Sequence, residues 1–199
     1  MYEKMESLDD TYGACYTAYV KNMPNGVKQY SSEKSEGEVF VQVLSRALFI
    51  GTGSNLFFSR KAMDDIGLFD ASFRRNQDLE YLARITKKYK MAYVDEVLME
   101  AFYDIRTANI TFEDRIKIEE MFREKFAHHL ESLSEKEKRA VIIMYDLDWI
   151  RGCIGRKKFG AAIKTAFKAK IPLKVYVDYI KYALDRKKNN TSYGFIVKL

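Results

Sequence analysis

Between Gly53 and Leu98 the sequence passes from a strand-like segment through helix-like ones and back to a strand, and this alternation narrows the fold more than any other feature. G-S-N-L-F-F-S (Gly53 to Ser59) reads as a buried strand. Lys61 to Ile66 reads as a short helix ended by Gly67, a residue that takes a left-handed backbone at little cost. Asn76 is placed to cap the next helix, about Gln77 to Lys88, whose inner face is Leu79, Leu82, Ala83 and Ile85. Met91 to Leu98 reads as a strand again. Strands and helices in alternation imply α/β layers.

On the N-terminal side, Y-E-K-M-E-S-L (Tyr2 to Leu8) reads as the end of a helix, and G-A-C-Y-T-A-Y-V (Gly13 to Val20) as a strand. N-M-P-N-G (Asn22 to Gly26) is turn chemistry, so a hairpin-like excursion continues to about Tyr30. S-S-E-K-S-E-G-E (Ser31 to Glu38) reads as a mobile polar loop, and Val39 to Leu48 as a short helix. From Thr111 onward the pattern is helical. One helix carries Phe112, Ile116, Ile118, Met121, Phe122 and Phe126, a second begins at Ser134 and runs to Tyr145, and others cover about Leu147–Ile154, Phe159–Lys170 and Leu173–Lys188. The expected division is an α/β body over residues 1–109 and an α-helical tail over 110–199, with the boundary near Asn109.

Charge divides the chain as well. Residues 151–199 hold 13 Lys/Arg against two Asp, a net of +11, whereas the whole chain is only +6. The first 150 residues therefore carry a net of −5. Such a tail suits an anionic partner. Phe159, Ile163, Ala166 and Phe167 line one helical face among lysines, and Leu173, Val177, Ile180 and Leu184 repeat the arrangement. This pattern fits a helix pair packed on the body, and it also fits an anionic membrane surface. No apolar leader and no run of transmembrane length is apparent, so the reading is a cytoplasmic protein, peripheral on the inner face of the plasma membrane where its tail makes contact. Cys15 and Cys153 match no metal or redox spacing and read as reduced thiols.

The residues that carry chemistry centre on R-R-N-Q-D-L-E-Y-L-A-R-I (Arg74 to Ile85), which follows G-L-F-D (Gly67 to Asp70). Asp78 lies in the first turn of its helix, where the macrodipole favours an acidic residue whatever its function. Glu80, two residues on, points away from it by about 200° and is expected to be solvated or paired. Gly51, Gly53 and Ser54 invite a phosphate-loop reading, against which no G-K-[ST] follows, and close backbone packing is the alternative. His128 and His129 diverge by about 100° on a helix and so should not face one ion together.

Taken in order, G-S-N-L-F-F-S-R-K-A-M-D-D-I-G-L-F-D, then N-Q-D-L-E-Y-L-A-R-I, then M-A-Y-V-D-E-V-L resembles the second half of the catalytic domain of family 2 glycosyltransferases, the GT-A enzymes that use nucleotide-diphospho-sugars. The resemblance implies a partial GT-A fold followed by the helical tail. It implies a hexosyltransferase-type enzyme of bacterial capsule, exopolysaccharide or lipopolysaccharide assembly, taking a nucleotide-diphospho-sugar donor and a saccharide or lipid-linked acceptor. Asp78 corresponds to the family's catalytic base and Gln77 is expected beside the acceptor, while Arg74 and Arg75 read either as contacts to the acceptor or a phosphate or as part of a solvated loop. The family's divalent cation, Mg or Mn, is held by a D-x-D motif that this sequence lacks, along with the opening V-S-V-I-I-P-x-Y-N strand. Asp9 and Asp10 imitate that motif out of place, as metal ligands or as a solvated helix end. The expectation is thus a truncated or split enzyme, inactive on its own. The reading set against it is a non-catalytic basic helical module for a partner, membrane or nucleic acid, for which no specific nucleic-acid motif is present.

Overall fold

One strand supports the sheet. Residues Tyr12–Asn22 form β1, and every residue from Gly13 to Val20 is buried. A strand covered on both faces has no solvent side to mark with polar residues, which is why G-A-C-Y-T-A-Y-V shows no alternation. The structure, a computed structural model, describes residues 1–73, 76–103 and 111–199.

Along one edge β1 pairs in parallel with β4 (Lys90–Phe102), from Tyr12 opposite Lys90 to Asn22 opposite Phe102. The other edge is shared. β3 (Phe57–Phe58) lies antiparallel against Ala14 and Cys15, and β2 (Lys28–Ser31) lies antiparallel against Val20 to Asn22. Between them the backbone of β1 has no partner strand among the described residues, and side chains fill the gap. The buried Asn55 amide accepts from Thr17 N–H at 3.3 Å and donates to the Thr17 carbonyl at 2.8 Å, in the manner of a strand residue. The same amide donates to the Ile50 carbonyl at 2.9 Å, and the Ser31 hydroxyl accepts from Tyr19 N–H at 2.9 Å. β5 (Thr191–Ser192) runs parallel to β2 and closes its outer edge. Among the described residues this makes an α/β protein with a mixed sheet of five strands and eight helices.

The helices are α1 (Tyr2–Glu6), α2 (Phe40–Leu44), α3 (Arg60–Ile66), α4 (Gln77–Thr86), α5 (Phe112–Leu130), α6 (Glu135–Gly155), α7 (Phe159–Ala169) and α8 (Leu173–Asn189). Their starts follow side-chain caps. Ser59 caps α3, Thr111 caps α5, and Ser134 with Glu137 forms a reciprocal capping box on α6. The buried core joins Tyr16, Leu44, Phe73, Tyr81, Leu82, Ile85 and Met91 to Phe122, Phe126, Val141 and Tyr145 of α5 and α6. The residues on either side of the expected boundary therefore share one core, while the boundary itself, Asn109, lies outside the described residues. A smaller cluster joins Ile143, Met144 and Leu147 to Ala169, Ile171, Val175 and Val197.

Several local expectations are corrected. Gly53 to Ser59 is not one strand: Gly53–Asn55 is a 3-10 turn, and only the half-buried Phe57–Phe58 pairs. Asn76 occupies the N-cap position in a left-handed conformation, φ 63°, and its side chain makes no capping hydrogen bond. The helices expected to Tyr145 and from Leu147 are continuous in α6, because Asp146 and Asp148 do not break a helix and instead meet Arg123, at 3.0 Å, and Arg115 and Arg46. The polar segment after Ser31 is held in place. The buried Glu33 accepts from Gly194 N–H at 3.0 Å, the Ser35 carbonyl takes the Tyr16 hydroxyl, and Gly37 bridges to Met91. Gly194 is pressed so closely on the Ala47 carbonyl that a Cβ there would overlap it.

Replacing the Asn55 amide should expose the cost of the unpaired edge. Asn55→Leu keeps the branched shape and strands two buried backbone groups of Thr17, so we expect a loss of about 2–4 kcal/mol in urea unfolding. Thr17→Val, which leaves the backbone pairing intact, should cost less than half as much.

Candidate active site

Asp78 is reached through a chain of fixed local geometries. Gly67, with φ 82°, ends α3 and turns the backbone into G-L-F-D. Phe69 stacks on Tyr81 with ring centroids 4.2 Å apart, and the buried Phe73 packs edge-on against Phe126. Asp70 closes a tight turn by accepting from Ser72 N–H at 2.8 Å. The Gln77 side chain donates back to the Phe73 carbonyl at 2.5 Å, a bond that braces the loop before α4. Arg74 and Arg75, expected beside the acceptor, lie outside the described residues.

The Asp78 carboxylate is half-buried and accepts from Leu79 N–H at 2.9 Å. No Lys or Arg among the described residues forms an ion pair with it. Beneath it runs the G-T-G-S segment. A Cβ built on Gly53 would lie 2.7 Å from Asp78 Oδ2 and 2.8 Å from Asp78 Cβ, closer than atoms can approach. Of the two readings for these glycines, close backbone packing is what the contact requires. Thr52 Oγ1 accepts from Ser54 N–H at 3.0 Å and holds the 3-10 turn, and Asn55 ties that turn to β1. The carboxylate thus rests on a support that leads into the central strand.

Glu80 is distinguished from Asp78 by its partners. It is buried and held by Arg84 at 2.6 Å, and Arg84 also donates to the carbonyls of Ile66 at 3.0 Å and Leu68 at 2.9 Å. Arg84 therefore ties the end of α3 to α4 and sets the loop that delivers Asp78. Its signal in the sequence was the Glu80–Arg84 spacing of a helical ion pair.

Asp9 and Asp10 are committed elsewhere. Asp9 accepts from Thr11 N–H at 2.9 Å and from its hydroxyl, bonds that hold its carboxyl below the usual range, and Asp10 pairs with Lys61 at 2.8 Å. Both line a cleft of about 590 Å³ with Tyr2, Tyr12, Phe57 and Lys61, a cleft that Asp78 does not line. Among the described residues no three His, Cys, Asp or Glu side chains converge, so the residues described do not fit a divalent-cation site. Cys15 and Cys153 are free and buried.

The two histidines correct an expectation of geometry. Their rings do not diverge but lie with centroids 3.8 Å apart, because the exposed His128 side chain folds back over the buried His129. His129 is wedged between Phe40 and Phe126, and neither ring nitrogen has a hydrogen-bond partner. Burial, and then His128, Lys87 and Arg84, lower its pKa from 6.5 to about 4.

Lys21, at the end of β1, is a residue that the sequence reading passed over. Its ammonium lies 5.1 Å from the Tyr19 ring and 5.6 Å from that of Tyr103, and burial followed by Arg186 lowers its pKa to about 8. Burial and a neighbouring cation both disfavour its charged form.

Two measurements follow from these contacts. Gly53→Ala should cost about 1–3 kcal/mol by overpacking, and a double-mutant cycle with Asp78→Gly should recover about 1 kcal/mol as coupling. For His129, the unfolded chain binds a proton near pH 6.5 that the folded chain does not take up until about pH 4. Stability from this group is therefore full above pH 6.5 and lost as pH falls toward 4, by on the order of 3 kcal/mol. His129→Phe should flatten that part of the urea-midpoint profile.

Comparison with known proteins returns no match: no family model, no curated protein and no solved structure corresponds to this chain.

Proposed function

We propose that this chain is the base-bearing, acceptor-side part of an inverting GT-A glycosyltransferase, transferring sugar from a nucleotide-diphospho-sugar to a saccharide or lipid-linked acceptor of a bacterial surface polysaccharide. The observation that carries the reading is the Asp78 carboxylate. It opens α4, is half-exposed, has no described cation partner, and rests on the Gly53 turn tied to the central strand. That is the support a general base needs, since a proton acceptor must hold its position while the acceptor hydroxyl approaches. The resemblance of Gly53 to Leu98 to the family's second half, with its Q-D pair at Gln77 and Asp78, supplies the reaction class.

In this mechanism Asp78 takes the proton from an acceptor hydroxyl as that oxygen attacks the anomeric carbon. The nucleotide diphosphate leaves from the opposite face of the sugar. Glu80 takes no part, being neutralised by Arg84, which fixes the loop. The reading assigns the nucleotide to a segment of the D-x-D type outside this sequence, and no step in it passes through a cation.

This chain alone, mixed with nucleotide-diphospho-sugars and saccharide acceptors, should transfer no sugar, and robust turnover would overturn the division of labour proposed. Joined to a nucleotide-binding half, the wild-type chain should transfer sugar, and Asp78→Asn should lower kcat by about 10²–10⁴-fold with KM for the acceptor little changed. An Asp78→Asn enzyme within tenfold of wild type would remove the base assignment.

A further inference from the structure

Helix α8 carries two apolar stripes, and the body uses only one. Val175 is buried, and Tyr179, Tyr182 and Arg186 on the same side are half-buried. At about 100° per residue, Leu173, Val177, Ile180 and Leu184 fall together on the opposite side. All four are exposed, Leu173 by 78% and Leu184 by 62%. Helix α7 does the same on a smaller scale. Ala162 and Ala169 are buried, while Phe159, Ile163 and Phe167, spaced one turn apart, stand in solvent, with Phe167 84% exposed. Seven large apolar side chains at helical spacing are more than the scattered exposure any surface carries.

The charges beside these stripes point to what covers them. Lys174, Lys181 and Lys188 recur every seventh residue along the outer stripe of α8, whereas Lys164 and Lys168 of α7 face a cleft shared with Glu119 and Glu120 of α5. None of the three α8 lysines forms an ion pair with a described carboxylate. Helix α8 carries two acids, Asp178 and Asp185, and Asp185 is occupied by the Tyr193 hydroxyl at 2.7 Å and the Asn189 amide at 2.8 Å. A second copy of the chain would bring two lysine rims together in a segment of net charge +11. Nucleic acid would satisfy the lysines and leave the apolar stripes in water. No described helix is long and apolar enough to cross a membrane, so contact with lipid has to be made at the interface.

We infer that the outer face of α8 lies on an anionic bilayer, its apolar stripe at the headgroup–acyl boundary and its lysines at lipid phosphates. This binding is a property of the chain itself and stands whether or not Asp78 is a catalytic base. The test is co-sedimentation of the full chain with vesicles of phosphatidylcholine alone and of phosphatidylcholine mixed with phosphatidylglycerol. Binding should appear with the mixed vesicles and fall as salt is raised. Changing Lys174, Lys181 and Lys188 to Gln should weaken it about a hundredfold, at about fivefold per lysine. Ile180→Ser with Leu184→Ser should weaken it about tenfold or more. These side chains are exposed, so the circular dichroism spectrum and urea midpoint should stay as in the wild type. Absence of binding to anionic vesicles at low salt would overturn the inference. So would binding that ignores the Ser substitutions, or a dimer in solution that Ile180→Asp disperses.

Discussion

The pairing of the Asn55 amide with the backbone of Thr17 is the contact on which the rest of the molecule turns. A central strand needs partners for the donors and acceptors on both edges, and an unpaired group in a buried position costs about 1–3 kcal/mol. β4 follows one edge from Tyr12 to Asn22 with irregularities near Gly13 and Ala18, but β2 and β3 reach only the two ends of the other. A side-chain amide, carrying a donor and an acceptor in one plane, imitates a peptide group and fills the interval. That choice has geometric consequences. It fixes the turn from Thr52 to Asn55, which brings Gly53 under α4, and Gly53 sets how closely Asp78 can approach. The sheet and the candidate base are therefore parts of one rigid arrangement.

A second set of interactions joins the helices to that arrangement. Arg46, in a left-handed conformation just after α2, lies over the Phe122 ring at 3.8 Å and reaches Glu119 at 3.0 Å and Asp148 at 3.6 Å. Glu119 also takes Arg123 at 2.9 Å, which continues to Asp146 at 3.0 Å. Each charge in this largely buried network has an opposite charge or an aromatic face beside it. Removing one member would leave others unpaired, so the network specifies the docking of α5 and α6 more than it adds to stability.

The sequence revealed elements whose cause is local. The strand Gly13 to Val20, the Gly67 stop, the Ser134 cap and the length of α8 all follow from residues within a few positions. The position of Asp78 in the first turn of α4 was legible for the same reason. What escaped depended on distant partners. Asn55 reads as part of a strand until Thr17 is seen beside it, and Glu33 reads as a loop residue until Gly194 arrives from 161 residues away. Asn76 resembles a cap in composition, but its left-handed backbone turns the side chain away from that task. The paired rings of His128 and His129 depended on side-chain torsions that the helical period does not fix.

The strand Thr191–Ser192 bears on the order in which the chain can fold. It seals the outer edge of β2, Ser192 Oγ lies 2.8 Å from the Tyr19 hydroxyl, and Gly194 locks against Glu33. On a ribosome the residues of the first hairpin are complete long before residues 191–194 have been made. Throughout that interval β2 presents an open edge, a surface on which another nascent chain can add a strand. Closing a loop of that length costs little more entropy than closing one half as long, so the delay is one of synthesis rather than of search. The outer edge of β2 thus stays open until the segment containing Thr191–Ser192 has been made.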